Sequence, residues 1–220
     1  MSADPVQAAA AVSVSATQLA HRYAPGRGLG RLDFSFDGPG VVAVTGSNGS
    51  GKSTLLRIVA GLLQPSAGRC EVTVGGRTLS TGTRRDAVGF ASPDLAFYGE
   101  LTVLENLAFA AEARGGPAPD LAPALDAVGL SARGGDRVRA LSTGMHQRLR
   151  VAFALLHRPA LLLLDEPGSH LDDEGRAVID ALIERERHRA LVLLATNDER
   201  EARLGDRHIA LRPRGLGDPA

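Results

Sequence analysis

An α/β fold built around a parallel sheet is what this sequence predicts, on three observations. A short β-branched run, Val41-Val-Ala-Val-Thr45, passes straight into glycine-rich sequence and then a helical pattern. A second apolar run, Leu161–Leu164, ends abruptly on two carboxylates, Asp165 and Glu166. Strand-like and helix-like segments alternate at both ends of the chain, with only helical patterns between them.

The elements follow in order. After the 41–45 strand, Lys52–Leu63 has helical apolar spacing and stops at Gln64-Pro65. Cys70–Val74 alternates like a strand and closes on Gly75-Gly76. Thr102–Arg114 reads as a helix stopped by Gly115-Gly116-Pro117, and a second helix near Leu121–Val128 ends at Gly129. Gly144–His157 is a further helix, followed by the 161–164 strand, a helix over Glu174–Arg189 and a strand over Leu191–Ala195. A short helix after Asn197 and a strand near His208–Leu211 complete the pattern. The expected architecture is one domain, 1–220, with a helical subdomain inserted at about 90–157. The alanine-rich start at residues 8–11 is expected to be weakly ordered.

Composition narrows the function classes. With 25 basic and 25 acidic residues the formal net charge is zero, which argues against a general nucleic-acid binder. A single cysteine, Cys70, excludes an intrachain disulfide and a thiol-built zinc site. The longest apolar runs are about six residues, far short of the roughly 20 that span a bilayer. No basic residue precedes Arg22, so the start makes a poor secretory signal. Among the basic residues only one is lysine, Lys52. Arginine serves wherever else a positive charge stands; at Lys52 it does not.

That lysine falls in a pattern. Gly46-Ser47-Asn48-Gly49-Ser50-Gly51-Lys52-Ser53 fits G-x-x-x-x-G-K-[ST] at every required position, with a strand before it and a helix after. The glycines let the backbone turn tightly enough for successive N–H groups to converge on an anion at the positive end of the helix. Gly46 through Thr54 are therefore candidate nucleotide-phosphate ligands. Lys52 reaches the outer phosphates, and the Ser53 hydroxyl takes a Mg²⁺ position. Asp165 and Glu166 end a strand where open α/β sheets bind ligands. Asp165 is placed to hold Mg²⁺, and Glu166 to orient or polarise the water that attacks the γ-phosphate. Taken alone, Asp-Glu reads as an acidic turn; the phosphate loop gives it meaning.

Together these residues resemble the ATP-binding cassette ATPases that drive ABC transporters. Leu141-Ser-Thr-Gly-Met145 is similar to the family's signature sequence, usually Leu-Ser-Gly-Gly-Gln, and lies about 20 residues before Asp165. Ser169-His-Leu-Asp172 resembles the loop that follows the catalytic acids and links the two sites of a dimer. Tyr23 stands where the family keeps an aromatic that stacks on adenine. The resemblance implies a P-loop NTPase core of ABC ATPase type, with an inserted helical subdomain and an N-terminal antiparallel β portion. It implies ATP and Mg²⁺ as cofactors, and a homodimer in which Ser142 and Gly144 of one chain complete the other's site. It also implies transmembrane permease subunits as partners and a place on the inner face of the cell membrane. Three departures stand out. Thr143 and Met145 replace a signature glycine and glutamine. The stretch Gly89-Phe-Ala-Ser-Pro93-Asp94 has no glutamine where the family has one, and Asn197 occupies the slot of a histidine that helps fix the attacking water.

The expected activity is hydrolysis of ATP to power a separate membrane subunit. The small size and the Gly-Met-x-Gln-Arg-Leu phrasing resemble the short ATPases of the haem-exporter or cytochrome c maturation type, so an exporter is expected. A cassette ATPase without a transporter, or a nucleotide-binding regulatory subunit with little turnover, is the alternative. The segment Phe90–Leu101, with Phe97 and Tyr98 expected to be exposed, is the candidate docking surface for the membrane partner.

Overall fold

A computed structural model describes residues 11–24, 27–115 and 120–212, leaving out the side chains of residues 85 and 86. Most of the alanine-rich start and the Gly116-Pro117 part of the expected helix stop lie outside the described residues.

The chain opens with two long strands, β1 (Val12–Ala24) and β2 (Arg27–Asp37). β3 (Gly40–Thr45) then runs through the glycine-rich loop into α1 (Lys52–Val59). Next come β4 (Ala67–Val74), β5 (Arg77–Thr78), α2 (Thr81–Ala87) and β6 (Val88–Ala91). The middle holds α3 (Val103–Glu112), α4 (Ala122–Asp126) and α5 (Thr143–Leu155). The end alternates β7 (Leu161–Asp165), α6 (Asp173–Glu186), β8 (Leu191–Thr196), α7 (Glu199–Ala202) and β9 (Arg207–Ala210).

Two sheets form. β2-β1-β4-β5 is antiparallel, and β6-β7-β8-β3-β9 is parallel, so the expected fold class holds. β7 and β8 are buried along their whole length, because helices cover one face of the parallel sheet and α1 with the antiparallel sheet covers the other. Alternate residues divide between two cores. Leu161, Leu163, Leu191 and Leu193 pack with α1 and β1; Leu162, Leu164, Val192 and Leu194 pack with α5 and α6. The pairing register leaves the strand ends level: Thr45 opposes Thr196 on β8, and Ala195 opposes Asp165 on β7.

Three details depart from the sequence reading. α1 stops at Val59 instead of Leu63, because Gly61 takes a left-handed φ of 77°. Gly61 N donates to Ile58 O (3.0 Å) and Leu62 N to Arg57 O (2.9 Å), the paired bonds that close a helix at glycine. β6, a strand the sequence reading did not assign, lies at the very start of the stretch expected to be helical. Its Gly89 lets α5 approach: a Cβ there would stand 2.1 Å from Ala154 O. Phe97 is not an exposed docking residue. It is half-buried against the core, edge-on to Phe153 at 6.2 Å, whereas Tyr98 is exposed and meets exposed Phe109 edge-on at 5.6 Å.

Candidate nucleotide-binding site

The loop between β3 and α1 owes its path to glycine. Gly46 has φ 149°, and a Cβ would stand 2.5 Å from Leu211 O and 2.6 Å from Ser50 Oγ. Gly51, at φ 101°, lies under the start of β2, where a Cβ would be 3.0 Å from Gly28 O. The first helical bond runs from Leu55 N to Gly51 O. That leaves the N–H groups of Lys52, Ser53 and Thr54 without an intrahelical acceptor, at the positive end of the helix. Lys52 is buried and folds back over the loop. Its Nζ donates to Gly46 O at 2.8 Å and Ser47 O at 3.5 Å, and lies 3.4 Å from Glu166 Oε1.

The two acids at the end of β7 have opposite surroundings. Asp165 is 2 % exposed, and its Oδ1 has no hydrogen-bond partner among the described residues. Burial pushes its carboxyl above the ordinary value; a hydrogen bond from Ser53 opposes this, Glu166 adds to it, and Arg57 and Lys52 pull it down. Glu166 is partly exposed beside Lys52 and takes a left-handed φ of 52°, uncommon for a residue with a side chain. Four hydrogen bonds hold it there. Glu166 N donates to Ala195 O (2.8 Å), and Glu166 O accepts from Ser169 N (3.1 Å), Ser169 Oγ (2.8 Å) and Gln147 Nε2 (3.0 Å).

One cleft of about 510 Å³ collects most of the predicted residues. Tyr23, Asn48, Gly49, Gly51, Lys52, Ser53, Thr54 and Glu166 line it, together with Arg27 and Gly28. Tyr23 is 54 % exposed there and rests edge-on against His21 at 4.5 Å. Gly46 and Ser47 stand behind the loop as acceptors for Lys52, and Ser50 is buried with its hydroxyl unpartnered among the described residues. Asn197, just past β8, reaches the loop from the other side: its Nδ2 donates to Asn48 Oδ1 at 3.1 Å.

Ser142 and Gly144 are not among the cleft's lining residues. Ser142 caps α5, its Oγ accepting from Met145 N at 3.2 Å. Gly144 faces the turn after β7, where a Cβ would be 3.3 Å from His170 O. Sequence reasoning did not single out Arg27 or Gly28, which enter the cleft from β2. It also passed over Gln147, 3 % exposed and hydrogen-bonded to Glu166 O. The available signal was a glutamine standing between apolar positions on the buried face of α5.

The described residues hold no group of three His, Cys, Asp or Glu side chains that could bind a metal by themselves. None of their helices is long and apolar enough to cross a membrane.

Comparison with known proteins agrees with this geometry. A family profile described as ABC transporter matches residues 29–169. An aliphatic sulfonates import ATP-binding protein of Burkholderia lata is 43 % identical over 176 residues, 79 % of this chain and 63 % of that protein. A protein of the same name from Pseudomonas fluorescens is 40 % identical over 192 residues, 86 % of this chain and 69 % of that one. This chain thus spans about two-thirds of the length of these relatives. The dimeric structure of MJ0796, a bacterial ABC transporter cassette, superposes with a TM-score of 0.80 at 26 % identity, covering 91 % of this chain and 94 % of that one. These relatives are named for import, so the resemblance to short haem-exporter ATPases finds no support in them. The chain belongs to the ABC transporter family.

Proposed function

We propose that this chain binds and hydrolyses ATP as the motor subunit of an ABC transporter. The observation that carries the reading is the cleft itself, which gathers the glycine loop, the only lysine, an exposed tyrosine and the Glu166 carboxylate within one volume. Gly49 to Thr54 cradle the phosphates, Lys52 neutralises their charge, and Tyr23 offers its face to the base. Glu166 takes a proton from the attacking water, with Asn197 donating its amide N–H to the transferred phosphoryl group. Ser53 and the Oδ1 of buried Asp165, unpartnered among the described residues, fit a hard cation, and together would hold Mg²⁺ against the phosphates. Such an ion supplies charge neutralisation to the transferring phosphoryl group.

Because Ser142 and Gly144 stand away from this cleft, they serve the site of a second copy, and the active form is a homodimer on the inner face of the membrane. Permease subunits dock at a groove of about 340 Å³ lined by Phe90, Leu95 and Phe153 and at the exposed Tyr98–Phe109 pair. The names of the relatives favour import over export, with a small organic anion of sulfonate type as the cargo.

The test pairs two variants. Lys52→Ala should lose tight ATP binding, since no second lysine exists to take over the contact. Glu166→Gln should keep ATP binding, lose most hydrolysis and accumulate an ATP-bound dimer on size exclusion with Mg²⁺. Near-normal affinity in the first, or wild-type turnover in the second, refutes the assignment.

A further inference from the structure

Two turns carry the proposed chemistry, one after β7 with Glu166 and one after β8 with Asn197. A single buried carboxylate that belongs to neither turn joins them. Glu201, on the one-turn helix α7, is 8 % exposed. Its carboxylate lies against the backbone of Gly168, and the Thr196 side chain and the Gly168 N–H both favour its charged form. Thr196 ends β8, fully buried, and its Oγ1 also accepts from Asp198 N at 2.9 Å. Asn197 is therefore held between two residues tied to the same hydroxyl.

Gly168 shows how closely the carboxylate fits. Its φ lies outside the left-handed region, so backbone conformation does not demand glycine. A Cβ would stand 2.0 Å from Glu201 Oε1, so any side chain there would displace the carboxylate. Gly168 follows Glu166 by two residues, and Ser169 beyond it makes two of the bonds to Glu166 O. Burial pushes the Glu201 carboxyl above its usual value, Thr196 and Gly168 oppose this, and Asp198 and Glu166 add to it. Burying a carboxyl here costs free energy that these two neighbours only partly offset.

We infer that Glu201 is a positioning residue, which locks the turn bearing Glu166 to the turn bearing Asn197 so that both face the nucleotide in one geometry. The inference rests on the function proposed above and adds a residue to that site. Glu201 is not among the residues lining the cleft, so it acts through the two turns and not on the nucleotide. Turnover depends steeply on such placement, a shift of about 1 Å costing on the order of 100-fold in rate. Nucleotide affinity, set mainly by the glycine loop, does not.

The test uses the full chain with Glu201→Ala, Glu201→Gln, Gly168→Ala and the double variant Gly168→Ala/Glu201→Ala. The readouts are ATP titration, steady-state hydrolysis and amide hydrogen exchange. Glu201→Ala should lower kcat about tenfold while ATP affinity stays within about twofold. It should also raise exchange over residues 166–170 and 196–198 together. Glu201→Gln, which keeps the shape and an acceptor oxygen, should recover most of kcat. Gly168→Ala should reproduce the loss, because its methyl displaces the carboxylate. In the double variant that methyl enters vacated space, so the loss is no deeper than in Glu201→Ala alone. Unchanged kcat, a parallel fall in kcat and affinity, or additive losses in the double variant overturns the inference. If the wild type does not hydrolyse ATP, the proposed function fails, and exchange still decides the role of Glu201. Unchanged protection in either turn of Glu201→Ala overturns that role by itself.

Discussion

The glycine loop and the turn after β7 lie side by side at the cleft and reach their shapes by opposite means. In the loop, Gly46, Gly49 and Gly51 take positive φ at little steric cost, so the conformation is intrinsic to the residues. In the turn, Glu166 at φ 52° and His170 at φ 62° occupy the same half of conformational space with side chains attached. Each such residue costs on the order of 1–3 kcal/mol, which surrounding bonds must overcome. The difference teaches where tolerance lies. A loop shaped by its own backbone is sensitive at its glycines, and a turn shaped from outside is sensitive at its neighbours.

Three substitutions would break or sharpen that contrast. Gly46→Ala should have the largest effect, because Leu211 O is backbone and cannot retreat from a Cβ at 2.5 Å. Its φ of 149° is also nearly exclusive to glycine. A loss of about 1–3 kcal/mol in stability and an ATP affinity weaker by at least about 100-fold are expected, from thermal melting and nucleotide titration. Wild-type affinity in this variant would show that the loop is not set by its glycines.

Gln147→Leu comes next. It removes the 3.0 Å bond to Glu166 O at nearly constant volume and leaves Ser169 to hold that carbonyl. We expect kcat to fall about tenfold with ATP affinity little changed, and stability to fall by about 1 kcal/mol. An equal fall in affinity would mean that the turn and the loop are one mechanical unit.

The fold was readable where periodicity and glycine agree, and less so where the chain is shaped by its partners. The strands at 41–45, 161–164 and 191–195 and the phosphate loop are local patterns, visible in a single sequence. β6 was not: four residues containing a glycine look like loop until α5 is laid across them. Phe97 misled for a related reason, since nothing local distinguishes it from Tyr98, and only Phe153, far along the chain, buries it. At the candidate site, motif spacing singled out the loop residues and Glu166 that the structure gathers in one cleft. Gln147 and Glu201 act through contacts 19 and 33 residues away, with Glu166 and Gly168, and no spacing rule announces them.

Asn197→Ala should have the smallest effect of the three. The side chain is exposed, and its bond to Asn48 Oδ1 at 3.1 Å competes with water. A fall of about 3- to 10-fold in kcat is expected, equivalent to about 1 kcal/mol. Asn197→His, assayed beside it, should restore turnover and steepen its dependence on pH near the imidazole range. Equal turnover in all three forms would place this residue outside the chemistry.

The level strand ends have a further meaning as a matter of distances. Neighbouring strands stand about 4.8 Å apart, so β3 and β7 are separated by about 10 Å with β8 midway. A phosphoryl group held over the sheet must be met from both sides. Lys52, an ammonium on a four-carbon stem, extends across from the β3 side to within 3.4 Å of Glu166 on the other. The middle strand needs no such span. A group issuing from the end of β8 starts about half as far from either flank, which suits a side chain as short as asparagine. Reach in this site is graded by strand position, and the sheet's spacing sets the length of side chain that each position requires.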